Sequence, residues 1–213
     1  KGKSLLWNAE TKLKNWLVPC VPKSVETYHL TMTTVLWSIG VIIFCFLATY
    51  DIIWLWGSSA MIFFQYITDL LDGEIGRRRN TGLIKWGYYM DHFLDYIFLC
   101  SLIIGYAILM PDQYLLTQLF ILMLFGAFMV NSYLGFATTN EFKISYMKIG
   151  PTEVRIGFIA VNTMIIFFGK TYTAPAIPFI MIFALLGLIF TVYRSQKHIW
   201  ELDMANKGKQ KKR

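Results

Sequence analysis

An unbroken run of 21 uncharged, mostly apolar residues at positions 30–50 is the feature that most limits the fold of this chain. As an α-helix this run is about 31 Å long, which matches a hydrocarbon core of roughly 30 Å. The chain also has a mean hydropathy of +0.49 and only 15% charged side chains, too apolar for a soluble domain with an ordinary polar surface. The sequence therefore predicts an all-α integral membrane protein.

Further apolar runs follow the first, separated by short polar or proline-containing turns. Together they predict six transmembrane helices, at residues 30–50, 52–76, 87–110, 114–137, 154–169 and 171–193. Before them, apolar residues at helical spacing predict an amphipathic interfacial helix over residues 1–19. We expect a single domain over residues 1–213, with a six-helix membrane bundle at 30–193 and a basic cytoplasmic tail at 194–213 that is disordered from residue 207.

The basic residues predict the orientation of this bundle. With six spans, both termini lie on one side, together with the second-to-third and fourth-to-fifth connections. That side holds all of the 20 lysines and arginines except Lys170. Because loops rich in lysine and arginine stay in the cytoplasm, we expect both termini at the cytoplasmic face. The net charge of +7 then faces anionic membrane lipids, and nucleic acid is not an expected partner.

Four aspartates occupy the cytoplasmic ends of two successive spans. Asp69 and Asp72 are spaced i,i+3, and Asp91 and Asp95 are spaced i,i+4, so each pair shares one helix face. An ionised carboxylate at the centre of a membrane helix costs about 2.5 to 3.5 kcal/mol. Since the two helices are joined by a short loop, we expect all four carboxylates to converge on a compensating cation.

Oxygen ligands of this kind favour Mg²⁺ or Mn²⁺. Apart from His92, no histidine or cysteine is placed as a partner, so zinc is not expected. A carboxylate-bound Mg²⁺ keeps open positions for substrate oxygens, which predicts a diphosphate-bearing substrate. Gly73 and Gly87 lack side chains where a phosphate or nucleotide would approach, and Arg77 lies one turn beyond Gly73, where its planar fork suits a phosphate.

The spacing of these residues resembles the pattern D-x2-D-G-x2-A-R-x8 or 9-G-x3-D-x3-D of the CDP-alcohol phosphotransferase family, the class I CDP-alcohol phosphatidyltransferases. The matching positions are Asp69, Asp72, Gly73, Arg77, Gly87, Asp91 and Asp95, and Gly76 stands in place of the alanine. The six-span topology with a preceding interfacial helix extends the resemblance to most of the chain.

The resemblance implies a membrane enzyme of phospholipid synthesis. In this family a hydroxyl oxygen of the acceptor attacks a phosphorus of a CDP-linked alcohol and CMP leaves, while two divalent ions hold the diphosphate. Position by position, it implies that Asp69, Asp72 and Asp91 are metal ligands. Asp95 is implied as the general base and as a further contact to a metal, and Gly73, Arg77 and Gly87 as the border of the CDP site.

Short stretches favour one branch of the family. Residues 77–81, 91–92 and 151–155 are similar to stretches of eukaryotic choline and ethanolamine phosphotransferases, which transfer from CDP-choline or CDP-ethanolamine to diacylglycerol. However, the chain is much shorter than those enzymes, and it has Tyr28-His29-Leu30-Thr31 where many members show P-N-x-x-T. The alternative is a CDP-diacylglycerol-dependent phosphatidyltransferase with glycerol phosphate, inositol phosphate or serine as acceptor. A phosphate-bearing acceptor would find a basic pocket in Lys143, Lys148 and Arg155, which are otherwise ordinary loop charges.

Three residues near the aspartates are candidate substrate contacts: His92, Glu153 and Arg155. Glu153 either binds a substrate amine or caps its helix and pairs with Arg155. His92 is either a second proton carrier or a packing residue, and we favour packing. The oligomeric state is left open, and a homodimer with two spans at its interface is one alternative.

Two other classes of membrane protein also place aspartates on helices. Intramembrane prenyltransferases bind Mg²⁺-diphosphate, but they have more spans and two separated motifs. Transporters use intramembrane carboxylates for ions or protons, but the chain has no inverted repeat and its aspartates cluster at one leaflet. Both classes are therefore weaker alternatives to the transferase.

Overall fold

The computed structural model describes residues 7–139 and 151–210, and within these ranges it is helical without strands. Eight α-helices are present there: α1 (Trp7–Leu17), α2 (Thr27–Leu47), α3 (Leu55–Arg79), α4 (Ile84–Leu109), α5 (Leu115–Thr139), α6 (Pro151–Phe168), α7 (Lys170–Thr173) and α8 (Ile177–Gln210). Short 3₁₀ turns lie at Val18–Cys20, Ile52–Trp54, Asp112–Tyr114 and Ala174–Ala176. The all-α prediction is thus confirmed for the described residues.

Five segments are long and apolar enough to cross a membrane: Thr27–Leu47, Ile84–Leu109, Asp112–Thr139, Pro151–Phe168 and Lys170–Ala205. Large apolar side chains on their outer surface, such as Phe167 and Phe183, are more than 70% exposed, which suits contact with lipid. The chain is therefore an integral membrane protein. The remaining predicted span corresponds to α3, which has 25 residues but is too polar to meet the same criterion. The count of six spans stays a prediction.

Helix α3 keeps much of its polar surface inside the protein. It packs against α2 on one side and α6 on the other, and Ser58, Ser59 and Gln65 are buried there. Asn162 of α6 donates a hydrogen bond to Ser59 at 3.0 Å and accepts one from Tyr106 of α4 at 2.8 Å. These bonds satisfy polar groups that would be costly in contact with lipid, and they tie three helices together.

Helix α2 lies centrally and packs closely on both α3 and α4. In contrast, the backbones of α3 and α4 approach each other closely at few points within the described residues. The two helices are joined by a short loop, and side chains occupy the space between them. This space is where the aspartates meet.

The loop between α3 and α4 is tight. Asn80 adopts a left-handed conformation with φ 55° and ends α3, and its backbone N–H bonds to the carbonyl of Gly76. A Cβ atom added at Gly76 would lie 2.9 Å from Thr27 Oγ1 and 3.0 Å from Gly82 Cα. This contact explains why glycine stands where the family pattern has alanine.

Arg79 joins this loop to the segment before α2. Its guanidinium donates hydrogen bonds to the backbone carbonyls of Val21 at 2.7 Å, Val25 at 2.8 Å and Pro22 at 3.2 Å. Helix α2 then begins at Thr27 with a capping box, in which the backbone N–H of Glu26 donates to Nδ1 of His29 at 3.0 Å. The start of α2 is thereby held against the aspartate-bearing end of α3.

Helices are described near both ends of the chain. A helix is present at Trp7–Leu17 with exposed tryptophans at both ends, while its interfacial placement stays a prediction and residues 1–6 lie outside the described residues. At the other end, the last span was predicted to stop at residue 193 and the tail to be disordered from 207. Helix α8 continues without a break to Gln210, and where the last span ends within it stays a prediction. Polar residues after position 193 extend the helix instead of ending it.

Candidate metal centre

Three of the predicted aspartates converge between α3 and α4. Asp69 lies in the second half of α3, and Asp91 and Asp95 lie in the first half of α4. Each offers a carboxylate oxygen, and these oxygens lie within 4.8 Å of one another. All three side chains are partly buried, at 22% to 30% exposure. Such an arrangement places a high density of negative charge in a small volume, which a divalent cation would offset.

Asp72 is the most buried of the four aspartates and is held differently. It is 6% exposed, and its Oδ2 accepts a hydrogen bond of 2.8 Å from the hydroxyl of Thr31 on α2. Its Oδ1 contacts the backbone N–H of Gly73. Thr31 was missed as a site residue, although it is the threonine of the segment Tyr28-His29-Leu30-Thr31 that was compared with the P-N-x-x-T pattern. That pattern was the signal that could have identified it.

Arg155 enters the cluster from α6. Its Nη2 atom lies 3.0 Å from Asp69 Oδ2 and 3.2 Å from Asp95 Oδ1, and the residue is 8% exposed. Arg155 was predicted as a substrate contact, and the structure places it directly on two of the candidate metal ligands. Glu153 lies in the first turn of the same helix and is half-buried.

Gln65 is a second residue that the sequence did not suggest. It is fully buried on α3, and its Nε2 atom donates to Asp95 Oδ1 at 3.2 Å. Gln65 lies one helical turn before Asp69 and so shares its face. A polar residue at that spacing within an apolar run was the available signal.

His92 lies beside the cluster in an aromatic setting. Its Nδ1 is 3.1 Å from Asp91 Oδ2, and its ring packs against those of Tyr88 and Tyr133 at centroid distances of 4.4 and 5.8 Å. The hydroxyl of Tyr133 on α5 also donates to the His92 backbone carbonyl at 3.1 Å. The role of His92 in packing stays a prediction.

The residues predicted to border CDP lie at the open side of α3 and α4. Arg77 is 67% exposed and pairs with Glu74 at 2.9 Å. A Cβ added at Gly73 would meet Arg77 Nη1 at 3.2 Å, whereas one added at Gly87 would meet nothing within 4 Å. The backbone at Gly87 is therefore accessible to a ligand. Lys143 and Lys148 lie outside the described residues.

The donor set of this cluster fits a hard divalent cation. Asp69, Asp91 and Asp95 offer carboxylate oxygens, with Asp72 one turn from Asp69 on α3. Mg²⁺ and Mn²⁺ prefer such ligands, whereas zinc and copper favour nitrogen and sulfur. The acidic cluster can therefore hold a metal ion.

The comparison with known families decides the class of this protein. A model of the CDP-alcohol phosphatidyltransferase family matches residues 28–193. The chain belongs to this family. The match confirms the resemblance inferred from the aspartate spacing, although it does not separate the branches of the family. No match was found among curated proteins or among solved structures.

Membership in the family establishes the general activity. The chain is an enzyme, a transferase of substituted phosphate groups that transfers a phospho-alcohol group in phospholipid synthesis. Use of divalent metals is typical of the family, and its members act on a CDP-alcohol donor and a lipid or alcohol acceptor.

Proposed function

We propose that the enzyme transfers phosphocholine or phosphoethanolamine from the CDP-linked amino alcohol to diacylglycerol, with release of CMP, at the cluster of Asp69, Asp91 and Asp95. The observation that carries the proposal is the approach of these carboxylates to within 4.8 Å, in a chain of this family. The similarity of residues 77–81, 91–92 and 151–155 to choline and ethanolamine phosphotransferases supports this branch.

Asp69, Asp72, Asp91 and Asp95 would hold two Mg²⁺ or Mn²⁺ ions. When bound, such ions neutralise the donor diphosphate and the charge that develops as CMP leaves. The supporting observation is the all-oxygen donor set on α3 and α4. Thr31 fixes Asp72 through its 2.8 Å hydrogen bond and so sets the direction of that carboxylate. Gly73, Arg77 and Gly87 would border the CDP group.

Asp95 is the proposed general base. An alcohol is a weak nucleophile, and a carboxylate within about 3 Å of its hydroxyl can accept the proton as the oxygen attacks phosphorus. Gln65 donates to Oδ1 of Asp95 at 3.2 Å, which orients the carboxylate. His92 and Glu153 are proposed as neighbours of the substrate without a role in proton transfer.

A cavity of about 260 Å³ beside the cluster supports a lipid substrate. It lies between α1, α3 and α6, and apolar side chains dominate its lining, among them Leu13, Ile62 and Ile156. Arg155 also lines it, so the cavity leads from apolar walls to the residue that contacts Asp69 and Asp95. An acyl chain in this cavity would bring an attached hydroxyl or phosphate toward the carboxylates.

The alternative is a CDP-diacylglycerol-dependent enzyme with a polar acceptor such as glycerol phosphate, inositol phosphate or serine. The same cavity would then hold the donor, and Arg155 would face the acceptor phosphate.

We further propose that residues 1–213 act as one domain, with both termini and the active site at the cytoplasmic face. A homodimer stays a prediction.

Release of CMP by the purified chain tests the proposal and names the donor. CDP-choline, CDP-ethanolamine and CDP-diacylglycerol are supplied in turn, each with its acceptor and with Mg²⁺ or Mn²⁺. We expect CMP only with the CDP-amino alcohols, only with diacylglycerol present, and only until a chelator removes the metal. Release of CMP from CDP-diacylglycerol, and from neither CDP-amino alcohol, would establish the alternative. If no donor releases CMP, both the proposed function and the alternative are refuted.

A further inference from the structure

The guanidinium of Arg155 lies among the carboxylates that are the candidate metal ligands. A single nitrogen, Nη2, contacts Asp69 Oδ2 at 3.0 Å and Asp95 Oδ1 at 3.2 Å. The arginine comes from α6, whereas its partners come from α3 and α4. It is 8% exposed, so water contributes little to the stability of its charge.

The charge around this arginine is strongly negative. Asp91 lies in the same cluster of carboxylate oxygens, all within 4.8 Å. In the described part of the chain, no lysine and no other arginine forms an ion pair with these three aspartates. Because like charges at this separation repel, a positive charge beside them stabilises the cluster, and Arg155 supplies one to Asp69 and Asp95.

We propose that Arg155 is a built-in counter-ion of the carboxylate cluster, which competes with the divalent cation and releases Asp69 or Asp95 when that cation binds. This inference rests on the proposed function only in taking the cluster as a cation site. A positive charge about 5 Å from a divalent ion weakens its binding by roughly tenfold even when screened as in water. Arg155 would thus keep the cluster stable without metal and set a limit on its affinity for metal.

Three variants separate this role from ordinary packing. Arg155→Gln removes the charge and keeps a polar side chain, and we expect it to bind Mn²⁺ about tenfold more tightly than the parent. Arg155→Lys keeps the charge, and because one nitrogen makes both contacts, a lysine can replace it; its affinity should stay within about twofold of the parent. Arg194→Gln is the matched control. Arg194 stacks on Phe190 of α8, so this variant loses the same charge at a different place in the chain.

The measurement is Mn²⁺ binding by electron paramagnetic resonance on the full chain, purified in detergent and freed of metal. Thermal unfolding of the same samples provides a second readout. Arg155→Gln should melt below the parent without metal, and saturating Mn²⁺ should reduce that difference. Unchanged or weaker Mn²⁺ binding in Arg155→Gln would overturn the proposal, as would an equal loss of stability with and without metal.

A measurement on the protein without substitutions tests the proposal even if Arg155→Gln does not fold. Phenylglyoxal modifies accessible guanidinium groups, and mass spectrometry can locate the modified arginines. We expect Mn²⁺ to increase modification of Arg155 and to leave Arg194 unchanged. Equal or reduced modification of Arg155 would contradict the release of its carboxylates.

These results are independent of the CMP assay. If Arg155→Gln binds Mn²⁺ more tightly but the parent releases no CMP from any donor, the counter-ion role stands and the proposed function fails. If the parent releases CMP and Arg155→Gln gains no affinity for Mn²⁺, only the counter-ion role fails.

Discussion

At the scale of single residues, the proposed roles of Asp95 and Asp91 predict different defects. Asp95→Asn keeps the shape of the side chain but cannot accept a proton, so CMP release should fall by about 10²-fold or more. Because Asp95 is also proposed to contact a metal, Mn²⁺ affinity should fall as well, but by less than in Asp91→Asn. Asp91→Asn removes a proposed metal ligand and should lose both Mn²⁺ binding and CMP release. Parallel measurements of Mn²⁺ affinity and CMP release check both variants.

Asp112→Asn is the matched control, because Asp112 is an exposed residue in the turn after α4, away from the cluster. It should behave as the parent in both measurements. Near-normal turnover of Asp95→Asn would remove the assignment of Asp95 as the base. Normal Mn²⁺ binding by Asp91→Asn would remove Asp91 from the set of ligands.

Thr31 provides a second test at the residue scale. Thr31→Val replaces the hydroxyl with a methyl group of similar size and removes the donor to the buried Asp72 carboxylate. We expect the free energy of unfolding to fall by about 1 to 3 kcal/mol, and the Mg²⁺ concentration needed for half-maximal CMP release to rise. Thr31→Ser keeps the hydroxyl and should restore both values. If Thr31→Val matches the parent in both, the hydrogen bond does not position Asp72.

At the scale of helices and loops, two glycines of the motif should respond in opposite ways to alanine. Gly76→Ala forces a Cβ against Thr27 Oγ1 and Gly82 Cα, at 2.9 and 3.0 Å, and should lower the free energy of unfolding by about 1 to 3 kcal/mol. Gly87→Ala enters open space in a helix and should raise it by about 0.5 to 1 kcal/mol. Because Gly87 is proposed to border CDP, the second variant should nevertheless release CMP more slowly.

Thermal unfolding and the KM for the CDP-alcohol check this pair. An increased KM in Gly87→Ala, together with unchanged or higher stability, would support the CDP site beside α4. A normal KM would place CDP elsewhere. If Gly76→Ala is as stable as the parent, the loop between α3 and α4 can move enough to accept the family alanine.

At the scale of the whole molecule, the sequence predicted the features that depend on local pattern, namely apolar runs and the spacing of the aspartates. The run at residues 30–50 contains most of α2, and the spacing of Asp69 to Asp95 led to the family. It placed Arg155 near the aspartates as a substrate contact but did not predict its direct contact with Asp95, because that contact joins positions 60 residues apart and depends on how α6 packs against α3. The bonds from Arg79 to the segment before α2 are long-range in the same way, and a charge pattern alone assigned Arg79 to the cytoplasmic loop.

The number of transmembrane spans is a prediction that concerns the molecule as a whole, and it depends on α3. Helix α3 has 25 residues and would be about 37 Å long, enough to cross a bilayer, but it carries Gln65, Asp69 and Asp72. If it crosses, positions 51 and 81 lie on opposite sides of the membrane. If it does not, they lie on the same side.

Single cysteines at Asp51, Thr81, Asp112 and Lys170 can distinguish these topologies, in a background where Cys20, Cys45 and Cys100 are replaced. We expect a membrane-impermeant maleimide added to intact cells to label positions 51, 112 and 170, and to label position 81 only after permeabilisation. Each variant must also retain CMP release, which shows that it is folded. Equal labelling at 51 and 81 would mean that α3 does not cross. The buried polar face of α3 argues for crossing, because its hydrogen bonds to α2, α4 and α6 shield those groups from lipid.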